Sequence, residues 1–205
     1  MKLVPIEKDT VYHIYNRGIN SQNIFFSDEN KRYFLSLFKK HLSDKVDLLV
    51  YCLMDNHFHF VIRILDEPQK VTQAMSNFFN AYVKAFNKMY GRTGSLFEKH
   101  FKRIRVDEEV YLKKLIVYIH LNPVDFQYYS YSSYQWIIKN DQNFHSASEI
   151  IELFGLVTRL DISTSIGEDG KFRHINTNPP NVLDYLDHTL LRLRLLSSHP
   201  RVAAS

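Results

Sequence analysis

The stretch that decides the fold is Val46-Asp47-Leu48-Leu49-Val50-Tyr51-Cys52-Leu53-Met54, then Asp55-Asn56, then His57-Phe58-His59-Phe60-Val61-Ile62-Arg63-Ile64-Leu65. Two runs of strand-forming residues flank a two-residue turn signal, so they predict a hairpin. Side chains on a strand alternate between faces, so Phe58, Phe60 and Ile62 share one face, and His57 and His59 share the other. The apolar face predicts a layer of helices packed on it. The opposite face then carries two imidazoles close enough to hold one divalent cation.

Working outward from the hairpin, residues 11–17 (Val-Tyr-His-Ile-Tyr-Asn-Arg) read as a strand that stops at Gly18. Ser27 and Asp28 offer N-caps for a helix with Phe34, Leu37, Phe38 and Leu42 on one stripe. After the hairpin, Val71, Met75, Phe78, Phe79, Tyr82, Val83 and Phe86 recur at helical spacing, and Gly91 sits where a helix C-terminal glycine belongs. Residues 100–106 alternate again. Asp107 can cap a last helix running through Tyr111, Leu115 and Tyr118 until Pro123 stops it.

The predicted order is βαββαβ plus a helix. That is an α+β, ferredoxin-like arrangement (split βαβ, RRM-like): an antiparallel sheet with helices on one face, a further helix carrying Tyr118, and a C-terminal appendage. The expected division is a catalytic domain over residues 1–140 and a weakly specified appendage over 141–205. Within the latter, 146–154 predicts a short capped helix, 162–180 a polar loop, and 182–196 a terminal helix with Leu183, Leu186, Leu190 and Leu193 on one face.

With 205 residues, 45% of them apolar, the chain can build one core-forming domain with a modest appendage. Six Gly and six Pro are too few for a collagen-like or linker-rich chain. No run approaches the roughly 20 apolar residues that span a bilayer, and the N-terminus lacks a secretory signal pattern. Cys52 is the single cysteine, which excludes an internal disulfide and a multi-cysteine zinc site. The expectation is a soluble, cytoplasmic protein with no membrane partner. The formal charge is only +4, yet between Lys84 and Arg105 seven cations face a single carboxylate, Glu98. Such a cluster suits a polyanion and counterion release, although scattered surface lysines give the same count.

Three groups of residues are candidates for chemistry. His57 and His59 form a metal-binding pair only if a third ligand joins them, since an isolated His-x-His is more often structural. Tyr118 and Asn122 lie one helical turn apart and share a face. An asparagine oxygen suits Mg2+ or Mn2+, and a tyrosine can attack phosphorus once a metal polarises the phosphate. The bland alternative is a tyrosine ring packed in the core and an asparagine capping the helix. The third group is the strand at 100–106, where alternation puts Ile104 and Val106 on one face and Phe101, Arg103 and Arg105 on the other. An aromatic ring between arginines on an exposed sheet face describes a single-strand platform, or an ordinary strand face.

Taken together, four ordered stretches resemble the HUH-type single-tyrosine transposases, in particular the REP-associated tyrosine transposases of bacteria. They are Tyr12-His13-Ile14-Tyr15-Asn16-Arg17-Gly18; Leu53-Met54-Asp55-Asn56-His57-Phe58-His59; Gly94-Ser95-Leu96-Phe97-Glu98-Lys99-His100-Phe101-Lys102; and Tyr118-Ile119-His120-Leu121-Asn122-Pro123-Val124. The resemblance implies a ferredoxin-like fold, with His57, His59 and Asn122 as ligands of Mg2+ or Mn2+ and Tyr118 as nucleophile. It implies cleavage and rejoining of single-stranded DNA beside hairpin-forming repeats, through a 5′-phosphotyrosine. Arg17, Lys99, Phe101, Lys102, Arg103 and Arg105 are then the candidate DNA contacts. The chain departs from the family after Val124, where Asp125-Phe126-Gln127 replaces the frequent Arg-Ala-Gly; that removes a positive charge near the nucleophile. Tyr131-Ser132-Ser133-Tyr134 resembles the family's Trp-Ser-Ser-Tyr. A homodimer sharing its sites and a monomer both occur among relatives, and the sequence leaves that choice open. His120 has three readings, as proton shuttle, DNA contact or helix surface residue, of which the last is the commonest kind. The alternative function is a non-catalytic single-stranded nucleic-acid-binding module on the same fold.

Overall fold

The elements follow the predicted order: β1 (Val11–Arg17), α1 (Asp28–Leu42), β2 (Val46–Met54), β3 (His57–Ile64), α2 (Pro68–Met89), β4 (Lys102–Val106) and α3 (Glu109–His120). Two short helices, α4 (Tyr134–Ile138) and α5 (Ala147–Leu153), come after them. This computed structural model describes residues 5–98 and 100–154; Lys99, the loop expected at 162–180 and the helix expected at 182–196 lie outside the described residues. The chain divides into two units, 1–135 and 136–205. The sheet and its helices α1, α2 and α3 belong to the first. In the second, α5 starts after Ser146, as its sequence predicts. No described helix is long and apolar enough to cross a membrane.

The sheet order is β2-β3-β1-β4, and every neighbouring pair is antiparallel. This is the ferredoxin-like topology, with β1 and β3 at the centre. Met54 pairs with His57 across the two-residue turn Asp55-Asn56. That turn is held from outside the hairpin: the Asp55 carbonyl accepts from Ile24 N and Phe25 N at 2.8 and 2.9 Å. The Nζ of Lys31, a nearly buried α1 residue, donates to Asp55 Oδ1 at 2.7 Å and to the Tyr129 hydroxyl at 3.1 Å.

One sheet face is covered by α1 and α2. Ser27 caps α1 through its hydroxyl, which accepts from Asn30 N, and Gly91 ends α2 with φ of 60°, the left-handed conformation that favours glycine. At the centre of this layer Phe34 is fully buried, with its ring 4.6 Å from Phe78, 4.7 Å from Tyr82 and 5.2 Å from Phe58. Phe58, Phe60 and Ile62 point into it with 1% exposure or less, as the alternation predicts. Truncating a ring so placed costs about 3–5 kcal/mol.

The opposite face is crossed by α3, whose docking depends on residues after Pro123. Residues 131–133 run along the outer edge of β2. Leu53 N donates to Tyr131 O and Ser133 N to Tyr51 O, both at 2.9 Å, and Cys52 bridges Ser132. Ser133 Oγ accepts from Tyr51 N at 3.0 Å and meets His120 Nε2 at 2.8 Å. His120 is 3% exposed and its ring stands edge-on to Tyr134. Of the three readings left open by the sequence, a helix surface residue is therefore excluded. Burial lowers the His120 pKa to about 3, so it is a neutral imidazole that ties the Tyr118 helix to the sheet edge.

Gly18 is required by close approach. A Cβ there would stand 1.9 Å from the Gln22 carbonyl oxygen, inside a turn closed by Ser21 N donating to Gly18 O. Gly18 N also donates to Asn56 O at 2.8 Å, which couples this turn to the residue before His57. Gly18→Ala is expected to destabilise the fold by about 1–3 kcal/mol, read as a lowered urea midpoint; an unchanged midpoint would mean that the turn opens freely. Ser133→Ala leaves buried His120 without its partner and is expected to cost about 1–3 kcal/mol. A denaturation midpoint equal to that of the unaltered protein would contradict that tie.

Candidate active site

β3 and α3 bring four predicted residues together. His57 and His59 project from β3 on the face opposite Phe58, and their ring centroids are 5.1 Å apart. Tyr118 lies on α3 with its ring edge-on to His59 at 5.8 Å. At 55% exposure, Tyr118 is accessible to a macromolecular substrate. Asn122 follows the end of α3, and its Oδ1 lies 3.2 Å from His57 Nε2. The asparagine amide is oriented by its own nitrogen, since Nδ2 donates to Tyr118 O at 3.0 Å and to Ile119 O at 3.3 Å. That leaves Oδ1 turned toward the histidine.

His57 lies between two oxygens that only accept, its Nδ1 2.7 Å from Asn56 Oδ1 and its Nε2 3.2 Å from Asn122 Oδ1. With the proton on the nearer side, Nδ1, Nε2 carries a lone pair. His57 Nε2 and Asn122 Oδ1 then face each other as two acceptors. Two lone pairs converging at that distance fit a shared cation. His59 Nδ1 is 2.9 Å from His13 Nε2, on β1. Burial lowers the His59 pKa to about 3, helped by its two histidine neighbours, and burial alone lowers that of His13 to about 4. Both rings are neutral at physiological pH, the state that ligates metal.

Among the described residues no group of three or more His, Cys, Asp or Glu side chains is placed to hold a metal, so the Asn122 oxygen is needed to complete a set with the two imidazoles. Two imidazole nitrogens and an amide oxygen suit a divalent cation whose remaining positions are left for water or phosphate oxygen.

His57, His59 and Tyr118 line a cavity of about 340 Å³ together with Tyr15, Arg17, Asn56, Glu98 and Lys102. The cross-strand register explains the company: Tyr15 lies opposite His59 and Lys102, and Arg17 opposite His57. The Lys102 ammonium is 5.8 Å from the Tyr15 ring centroid. Arg17 forms an ion pair with Glu98, on the loop that returns to β1 through the Glu98 N to Arg17 O bond.

The candidate platform on β4 is divided by the structure. Its alternation is as predicted, but Arg103 and Arg105 lie opposite Ile14 and Tyr12, on the helix side of the sheet. Phe101 turns the same way and meets Phe79 of α2 at 5.4 Å. Arg105 is engaged in ion pairs with Glu7 and Asp107. These three residues therefore do not share the face that carries the histidines. β4 is an edge strand whose polar residues can sit on the core side because their tips escape past the edge. Lys102, Ile104 and Val106 are the β4 residues on the histidine side, paired with Tyr15, His13 and Val11.

Sequence reasoning assigned no role to His13, Tyr15 or Asn56. Period two along β1 puts His13, Tyr15 and Arg17 on one face, which was the available signal. Their meeting with His59 required the β1–β3 register.

A family model described as IS200-like transposase matches residues 7–122, more than half of the chain. No curated protein matches it. Among solved structures, a REP-associated tyrosine transposase bound to a REP hairpin aligns with a TM-score of 0.54 at 14% identity, covering 68% of this chain and 84% of its own. That likeness shows a common fold. A protein from Deinococcus radiodurans described as a candidate transposase aligns with a TM-score of 0.39 at 13% identity, covering 56% of this chain and 92% of its own, and carries no weight here. With the family match over the whole βαββαβ unit and α3, the chain belongs to the IS200-like transposase family.

Proposed function

We propose that this protein cuts and rejoins single-stranded DNA beside hairpin-forming repeats, in the cytoplasm of a bacterium, with Tyr118 as nucleophile and residues 1–140 as the catalytic unit. The observation that carries this reading is the convergence of Tyr118, His57, His59 and Asn122 from β3 and the end of α3, with His57 and Asn122 65 residues apart in sequence. His57, His59 and Asn122 would hold Mg2+ or Mn2+. Bound there, the cation would draw charge from the scissile phosphate and make its phosphorus a better electrophile.

The chain's own groups account for the rest. The Tyr118 hydroxyl oxygen forms a bond to phosphorus as the bond from phosphorus to the 3′ oxygen breaks. Its phenolic proton passes to solvent, and the departing oxygen takes one up to become a 3′-hydroxyl. The phosphate ester is kept as a 5′-phosphotyrosine, so a 3′-hydroxyl can later reverse the step without an external energy source. Lys102, on the histidine face, and Arg17, at the cavity rim, would neutralise phosphates flanking the bond. Tyr15 offers an aromatic surface for a base.

Incubated with repeat-derived single-stranded DNA and Mn2+, the protein is expected to form a covalent adduct on a denaturing gel. Tyr118→Phe and chelation by EDTA should each abolish it; hairpin binding without any adduct would favour a purely binding module. His57→Ala should remove cleavage and spare hairpin binding, whereas equal loss of both would make the histidine a fold residue. Lys102→Ala is expected to lower the salt slope of DNA binding by about 1. Arg105→Ala, already ion-paired and on the far face, should change it less, and the reverse order would put the DNA across the helix side.

A further inference from the structure

We propose that His13 is a positioning residue for the metal centre, accepting the Nδ1–H of His59 at its own Nε2 and so holding His59 in the tautomer whose Nε2 is bare. The inference rests on the reading of His57, His59 and Asn122 as ligands and adds a fourth residue that touches none of the reacting atoms.

The geometry is specific. His13 lies on β1 diagonally across from His59, being paired with Val61 while Tyr15 is paired with His59. The contact between the two imidazoles is 2.9 Å and buried. His13 is 5% exposed, has Ile104 and Val61 as its cross-strand neighbours, and stacks on Tyr15 at 4.7 Å with the planes 21° apart. An apolar residue would suit such a place. A polar ring there costs free energy unless its nitrogen is bonded, and the bond it makes is to His59.

One proton lies between the two facing nitrogens. On His59 Nδ1, it leaves Nε2 as a lone pair. On His13 Nε2, it forces the neutral His59 ring to carry its own proton at Nε2, where no cation can bind. Outer partners of ligating histidines select tautomer and ring orientation in this way. Asn56 does the same for His57, but its oxygen can only accept, whereas His13 can either accept or donate.

The test is titration of Mn2+ alone onto metal-free protein, followed by calorimetry. His13→Phe keeps a ring to stack on Tyr15 and removes the acceptor, and His13→Gln restores an acceptor oxygen. His13→Phe is expected to weaken Mn2+ binding by about 10–100-fold, and His13→Gln to recover most of it, with thermal midpoints of the metal-free proteins not following the same order. Mn2+ affinity unchanged in His13→Phe, or lost equally in both variants, overturns the inference. A measurement on the unaltered protein does not depend on either variant folding: nitrogen-15 imidazole spectra should show His59 protonated at Nδ1, and protonation at Nε2 overturns the inference. His57→Ala separates the two readings. If it leaves the Mn2+ isotherm unchanged, the ligand assignment falls and this inference falls with it. If it abolishes binding while His13→Phe does not weaken it, only the role of His13 is lost.

Discussion

Strand β3 must be satisfied on both faces at once, and the rest of the molecule is arranged around that demand. Phe58, Phe60 and Ile62 enter the aromatic layer centred on Phe34. Each such side chain contributes about 1.5–3 kcal/mol when buried. A slip of one residue would move that row to the α3 side and drive His57 and His59 into a layer with no polar partners. The register is therefore strongly specified, and the position of the imidazole pair follows from hydrophobic burial on the other side of the same strand.

The second face imposes a different chemistry. It is covered incompletely, by a single helix, so it can hold polar side chains of graded exposure. His13 and His59 are desolvated and neutral, while Tyr118, a ring's width away, is more than half exposed. Neutral ligands and an accessible nucleophile need opposite degrees of burial, and this face supplies both. Next to the site, the contact of His120 with Ser133 holds α3, and the Asn122 amide caps its last carbonyls. The Tyr-Ser-Ser-Tyr stretch thus has a structural reason, as a strip along β2 that anchors the nucleophile's helix.

The basic cluster shows how a charge count misleads when strands alternate. Lys102, Arg103 and Arg105 are near neighbours in sequence, yet Lys102 faces the cavity and the two arginines face the other way. Arg105 is partnered by Glu7 from before β1 and Asp107 from after β4, and Arg17 by Glu98. Local sequence announces the cations. Their usefulness to a polyanion depends on which carboxylates the fold returns to them.

What the sequence determined by itself was mostly what has a short period: the order of elements, the faces of β3, the pairing of Tyr118 with Asn122 by one helical turn, and the caps at Ser27 and Gly91, although the cap expected at Asp107 is not made, since Glu108 precedes α3 and Asp107 pairs with Arg105. These depend on backbone geometry that repeats within a few residues, and the four ordered motifs read from the same local information. What only the tertiary structure decided were contacts between distant segments. The helix-side placement of Phe101, Arg103 and Arg105 needed the pairing of β4 with β1. The burial of His120 needed residues 131–133 to return to β2. The contact of His13 with His59, 46 residues apart, needed the β1–β3 register. Local propensity does not encode register between strands, because it is set by how the whole apolar layer packs.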